Sequence, residues 1–409
     1  MPVVSPLLLA AVLALTAGAA NQLTTRLLLE APCPGGCYGD GVGRPLAAPV
    51  WATFVSFVAM ALSLFQPLLV RGLFLCSVSS SPPPSPASEA LLAPAPAVAA
   101  PAAPRAPCLR GARARYCPLA LPVSLDVFAT LLQSASVLFC SAGASAAMRG
   151  SLLVFVCAAL RLVGPRGGWA SRGEWLGIWV STCGAALVAG AALGDAGGGT
   201  ASVGGAGARL QPAAAVALGL GLSTLSNVLQ GVQVAVETAF VAGTQTGAPA
   251  LATWELNGVE GAAGAALLAL PLALSGAWPA GGAALRVEDA RELGCCLARA
   301  PRAAALSAAL CAQFLVSTNA YMTLSALRGG NFRALLLVAR SALVWAAELA
   351  LRYCGGGAGG QPFGNFGALA VAGYAVLVGG GVLTWRHQSE RERKGAEAAA
   401  EGAGEGAIN

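Results

Sequence analysis

The sequence predicts an all-α membrane protein of ten transmembrane helices, arranged as two inverted five-helix repeats. Three observations carry that prediction. Of 409 residues, 56% are hydrophobic and 10% charged, against roughly 25% charge in soluble domains. Stretches of about 20 nearly uncharged residues, enough to cross a bilayer as a helix, recur along the chain. Segments in the two halves also echo one another. Alanine and the 53 glycines soften the compositional signal, so the spacing of the runs carries the most weight.

The apolar runs predict helices at 5–28, 49–71, 120–140, 143–163, 174–194, 212–240, 252–276, 302–325, 331–352 and 364–386. The first run resembles a secretory signal in Ala17-Gly18-Ala19, but no Lys or Arg precedes it and apolar character resumes at Leu27. It is expected to be retained as a helix. Only Ser141 and Ala142 separate the third and fourth runs, which predicts a tight turn there, with one long broken block as the alternative. Residues 76–118 are rich in Pro, Ser and Ala and cannot bury enough apolar area to fold, so a disordered loop is expected. The arginines at its end, Arg105, Arg110, Arg113 and Arg115, suit contact with anionic lipid. A solvated, disordered tail is expected over 387–409. The chain thus divides into 1–75 (the first two helices), 76–118, 119–195 (helices three to five), 196–386 (the second repeat) and the tail.

Orientation follows from the basic residues. With ten spans both termini share a side. That side holds Arg71, the four loop arginines, Arg161, Arg166, Arg172, Arg328, Arg333, Arg386, Arg391, Arg393 and Lys394. The other side holds Arg26, Arg44, Arg209, Arg286, Arg291, Arg299, Arg302 and Arg352. The excess puts both termini in the cytosol.

The net charge of +6 is spread over loops and leaves no nucleic-acid footprint. The single histidine, His387, lies beyond the last run, which excludes histidine catalysis or a histidine metal site within the bundle. No Gly-x-Ser-x-Gly or paired-Asp arrangement occurs, so no enzyme is expected, and nothing calls for a cofactor. Most of the twelve cysteines sit singly in apolar runs, as small hydrophobes do. Cys33 and Cys37 lie in a Pro/Gly-rich loop, where either a mutual disulfide or two free thiols fits.

The repeat is read from 143–194 and 326–383. Each segment carries an Arg-bearing helix, a glycine-rich connection and a Gly/Ala-rich final helix. Arg149 stands 28 residues before Gly177, and Arg340 stands 27 before Gly367. A five-helix unit repeated in tandem crosses the membrane in opposite senses, which places a solute site near the midplane.

Several stretches carry a family resemblance: TAGAANQLTTR (16–26), MRGSLLVF (148–155), WLGIWVSTCGAALVAGAALGD (175–195), QGVQVAVETAF (230–240) and RALLLVARSALVW (333–345). The chain resembles the drug/metabolite transporter superfamily, in its nucleotide-sugar-transporter-like branch (the thirty-fifth human solute carrier family, subfamily F). The resemblance implies a ten-helix, two-repeat bundle and a central cavity lined by helices one, three, four, six, eight and nine. It also implies alternating access without a bound cofactor. The Gly-Ala-Leu-Asn-Lys motif of nucleotide-sugar transporters is not intact; GGNFRA (329–334) has Arg where Lys would serve. The kinship therefore names a mechanism rather than a cargo.

A charge at the centre of a spanning helix costs at least about 2.5–3.5 kcal/mol, so it normally faces a cavity or a partner. Asp126, Arg149, Glu237, Glu255, Glu260 and Arg340 meet that description, while Glu348 is close enough to an end to snorkel. Arg149 and Arg340 suit an anionic-solute clamp or, alternatively, structural ion pairs with Asp126 or a glutamate. Asp126 and Gln133 share one face of helix three. Asn227, Gln230, Gln233 and Glu237 form one stripe on helix six. Asn319 is a further candidate on helix eight, with Gln313, Ser317 and Tyr321 near it. The expected substrate-binding set is therefore Asp126, Gln133, Arg149, Asn227, Gln230, Gln233, Glu237, Asn319 and Arg340. Gly177 with Gly184, and Gly379 to Gly381, suit close helix packing or a homodimer.

These readings point to a secondary transporter of a small polar solute, an anionic one where Arg149 and Arg340 act as a clamp, in an endomembrane such as the Golgi or a vacuole or lysosome. The alternative is a non-transporting scaffold that binds partners through the 76–118 loop or the tail.

Overall fold

The computed structural model describes residues 6–34, 37, 44–67, 119–163, 170–197, 211–241, 252–275, 290–328, 330–354 and 364–405. The expected loop at 76–118 lies outside them. Each of the ten apolar runs is helical over most of its described part. The helices are α1 (Pro6–Leu29), α2 (Pro49–Ala61), α3 (Ala120–Ser136), α4 (Ala142–Ala147), α5 (Leu152–Val163), α6 (Arg172–Gly197), α7 (Pro212–Val241), α8 (Thr253–Ser275), α9 (Ala290–Arg299), α10 (Pro301–Arg328), α11 (Gly330–Cys354) and α12 (Gly367–Glu405). Among the described residues, seven helical segments are long and apolar enough to cross a membrane: α1, the α4–α5 unit, α6, α7, α8, α10 and α12. The chain is a multi-pass, all-α membrane protein.

Local sequence explains the boundaries. The third and fourth runs are separate helices rather than one block. α3 ends at Ser136, and the Ser141 side chain caps the next helix by accepting from Ala144 N at 3.1 Å. A 3-10 turn over Met148–Ser151 then joins α4 to α5. α2 is shorter than its apolar run, tightening into a 3-10 turn at Leu62–Phe65. A two-residue antiparallel ladder, β1 (Pro32–Cys33) with β2 (Arg44–Pro45), closes the loop between α1 and α2.

Two elements differ from expectation. α9 is an additional amphipathic helix that buries Leu293 and Cys296 and lies outside every apolar run. The expected irregular tail is instead helical as far as Glu405. Ala, Glu, Arg and Lys are strong helix formers. The i,i+4 pairs Arg386–Glu390 and Arg393–Glu397 add to that preference, and Arg391 reaches back to Glu174 at 3.4 Å.

The ends of the helices alternate. Leu29, Val137 and Ala142 share one apolar cluster, Glu348 of α11 bonds Arg26 of α1 and Ala142 N, and Asp195 accepts from Phe366 N at 3.0 Å. The ends of α1, α6 and α11 therefore meet the starts of α4 and α12. At the opposite end, the far arm of α12 meets the start of α6 through Arg391 and Glu174.

The most extensive helix–helix contact joins α6 to α12. Gly177 and Gly184 on one helix face Gly380 and Gly373 on the other, and a Cβ at any of them would meet the partner's backbone. The close packing expected of these glycines is made within the chain, so Gly177, Gly184 and Gly380 are not available to a second copy. Gly379 meets nothing within 4 Å.

Candidate functional site: a polar cavity between the helices

A cavity of about 110 Å3 lies inside the bundle. Its walls come from α1 (Asn21, Gln22), α2 (Ser56, Met60), α3 (Asp126, Gln133), the 3-10 turn (Arg149), α7 (Gln230, Gln233, Glu237), α8 (Asn257, Glu260), α10 (Ser317, Tyr321) and α11 (Arg340). Seven of the nine expected binding residues meet there: Asp126, Gln133, Arg149, Gln230, Gln233, Glu237 and Arg340. The second and seventh apolar runs also form walls, beyond the six helices that the resemblance implies.

Arg340, near the middle of α11, is 6% exposed. Its Nη2 donates to Gln22 Oε1 at 3.1 Å, and its Nε has no hydrogen-bond partner. Among the described residues, the side chain that it bonds is thus a neutral amide. Local sequence makes room for it. A Cβ on Gly18 would stand 2.7 Å from Arg340 Cδ and 3.0 Å from the Tyr321 hydroxyl, so the guanidinium stem crosses α1 where α1 has no side chain.

Arg149 projects from the 3-10 turn and donates to Gln230 Oε1 at 2.7 Å. Asn227 does not line the cavity. Its Nδ2 donates to Met148 O at 2.7 Å and to Ser151 Oγ at 3.3 Å, so it holds the turn that presents Arg149. The Met148 carbonyl also accepts from Ser151 Oγ at 2.7 Å, so two donors meet at this turn. Asn319 also lies off the cavity. It donates to Ser63 Oγ at 3.0 Å and to Leu315 O at 2.8 Å, while Asn257 donates to the same Ser63 at 2.7 Å. Together they tie α10 and α8 to the end of α2.

The acidic side is contributed by Asp126, Glu237 and Glu260, which are 7%, 3% and 1% exposed. Asp126 accepts from Thr130 Oγ1 at 3.2 Å. Gln233 donates to Glu237 Oε1 at 2.5 Å, leaving its own Oε1 without a hydrogen-bond partner. The Asn21 side-chain oxygen is likewise unpartnered. Gln133 has a mixed role: its amide bonds Ser145 and accepts from Ser223 at 3.4 Å, bridging α3, α4 and α7. Buried polar atoms of this kind normally find a partner; Asn21, Gln233 and Arg340, which carry them, all line the cavity. Among the described residues, no group of three or more His, Cys, Asp or Glu side chains could hold a metal.

One turn beyond Gln22, outside the cavity's lining, lies an ion pair. Arg26 Nη1 pairs with Glu348 Oε1, and Glu348 is fully buried rather than snorkelling to an interface. The same carboxylate accepts from Ala142 N at 3.1 Å and Gly143 N at 2.6 Å, capping the start of α4. Tyr374 donates to Gly143 O at 2.7 Å and stacks on Trp345, with ring centroids 4.7 Å apart.

Sequence reasoning passed over Asn21, Gln22 and Asn257 as site residues. The signal that finds them is the one applied to Arg340: an amide within an apolar run must face a partner or a cavity. No protein-family model matches the chain, and a search of curated proteins finds none that is similar.

Proposed function

We propose that this chain is a secondary transporter that moves a small polar, anionic solute across an endomembrane by alternating access. In this reading ten helices form two inverted five-helix units, and both termini lie in the cytosol. The observation that carries it is Arg340: a buried guanidinium facing a polar cavity, bonded to a neutral amide and with a spare N–H. A carboxylate or phosphate supplies the matching charge and acceptor atoms. Arg149, from the corresponding segment of the other half, lines the same cavity, as a midplane site between repeats requires. The family resemblance supports the same mechanism. The orientation gains support from the bond between Cys37 and Cys295, because disulfides persist on the oxidising side, away from the cytosol.

Counterflow in proteoliposomes tests the reading, with a panel of carboxylates, phosphate esters and neutral analogues of each. Anionic members are expected to exchange and their neutral analogues to fail. Arg340→Ala is expected to lower exchange at least about tenfold, the usual loss when a charge-assisted hydrogen bond is removed, while folded protein is retained. Exchange that is unaffected by Arg340→Ala would remove the basis for an anionic cargo.

A further inference from the structure

Four cysteines meet where the segment after α1 touches α9. Cys37 is bonded to Cys295, with Cα atoms 5.6 Å apart; the sequence left a Cys33–Cys37 bridge open, and the structure gives Cys37 a different partner. This bond fixes two more thiols. Cys33 stands on the β1–β2 ladder, four residues before Cys37, and Cys296 directly follows Cys295. Cys33 is 2% and Cys296 0% exposed, and both belong to one apolar cluster with Leu28, Ala31, Leu293 and Ala303. Both are free thiols in this structure, and the neighbouring Cys37–Cys295 bond and the shared apolar cluster hold them at one corner, where the geometry a disulfide needs is within reach of small side-chain movements.

We propose that Cys33 and Cys296 form a second disulfide beside Cys37–Cys295, making a double clasp between the end of α1 and the corner of α9 and α10. The bond joins Cys33 Sγ to Cys296 Sγ. Both thiol hydrogens and two electrons pass to a disulfide oxidant of the secretory compartments, glutathione disulfide or an oxidoreductase disulfide, whose own S–S bond breaks into two thiols. Burial, and then the contact with Cys33, push the Cys296 thiol up to about 12. Exchange requires a thiolate, so the bond forms while this corner is still closing and is sheltered afterwards. α1 also packs along α10. With two covalent ties at the corner, these helices move as one body in any opening of the cavity.

Peptide mapping of the full-length protein purified from secretory membranes tests the clasp. The protein is denatured in iodoacetamide without reductant and cut with trypsin. Residues 27–71 carry Cys33 and Cys37, because trypsin spares Arg44 before Pro45, and residues 292–299 carry Cys295 and Cys296. The two peptides are expected as one linked species, with no alkyl group on any of the four cysteines. Cys37→Ser/Cys295→Ser is expected to leave them linked through the second bond. Cys33→Ser gives an independent reading: Cys296 becomes alkylated while the peptides stay joined. Alkylated Cys33 and Cys296 in the wild-type protein, or a Cys296 still protected in Cys33→Ser, would overturn the proposal.

Discussion

At the scale of single residues, the cavity is organised around how Arg340 reaches it. The guanidinium passes α1 at Gly18, and any side chain there meets the arginine stem rather than rigid backbone. Gly18→Ala is therefore expected to fold, with a stability change within about 1 kcal/mol because the flexible stem can give. Transport is expected to fall several-fold as Arg340 moves away from Gln22. Thermal unfolding measured beside counterflow separates the two effects, and a parallel loss of both would make Gly18 a packing residue only. Much at this scale was legible in the sequence. Arg149, Arg340, Asp126 and Glu237 announce themselves as charges in apolar runs. Asn227 and Asn319 carry the same signal, yet one holds the Arg149 turn and the other ties α10 to Ser63. Helical periodicity gives the face on which a side chain lies. Which backbone group or hydroxyl waits there depends on a neighbouring helix.

Among elements, Glu348 has the largest reach. It pairs with Arg26 of α1 and caps the start of α4, eight residues or about 12 Å along α11 from Arg340. Removing one partner of a buried pair costs about 3–5 kcal/mol because the other charge is stranded. Glu348→Gln is thus expected to reduce folded yield and melting temperature strongly. Arg26→Met/Glu348→Met is expected to recover part of both, and size-exclusion profiles in detergent check the outcome. A double variant no better than the single one would place the importance of Glu348 in its capping bonds alone. The sequence positions Glu348 near a helix end and suggests an interfacial residue. Its partners come from residues 322 and 206 positions away, so no local pattern reveals them. α9 is missed for a related reason: its apolar stripe is too narrow for a spanning run and becomes meaningful only against α10 and the β1–β2 loop. The helical tail is a different case. Its Ala-, Glu- and Arg-rich composition is a helix signal, while its high charge and polarity read as solvated chain.

For the whole molecule, the walk of the chain is the main result. The bonds of Glu348 to Arg26 and Ala142 N, and of Phe366 N to Asp195, join the late part of α11 with the end of α1, the start of α4, the end of α6 and the start of α12. The proposed orientation, with both termini in the cytosol, predicts that glycosylation acceptor sites inserted at 198–210 are modified and that sites after Glu405 remain bare. Mobility shifts on glycosidase treatment measure this, and the reverse pattern would invert the orientation.

The sequence alone determined that the chain is helical, that it lives in a bilayer, approximately where its apolar runs begin and end, and which charges need an interior environment. Those properties depend on composition and on spacing within one helix, which the linear chain carries in full. The tertiary structure decided which polar groups share a cavity and which bind helices together. It also gave Cys37 its bond to Cys295 and set the glycines of α6 against those of α12. These are pairings between segments as much as 258 residues apart, and they depend on the angles and offsets at which helices pack.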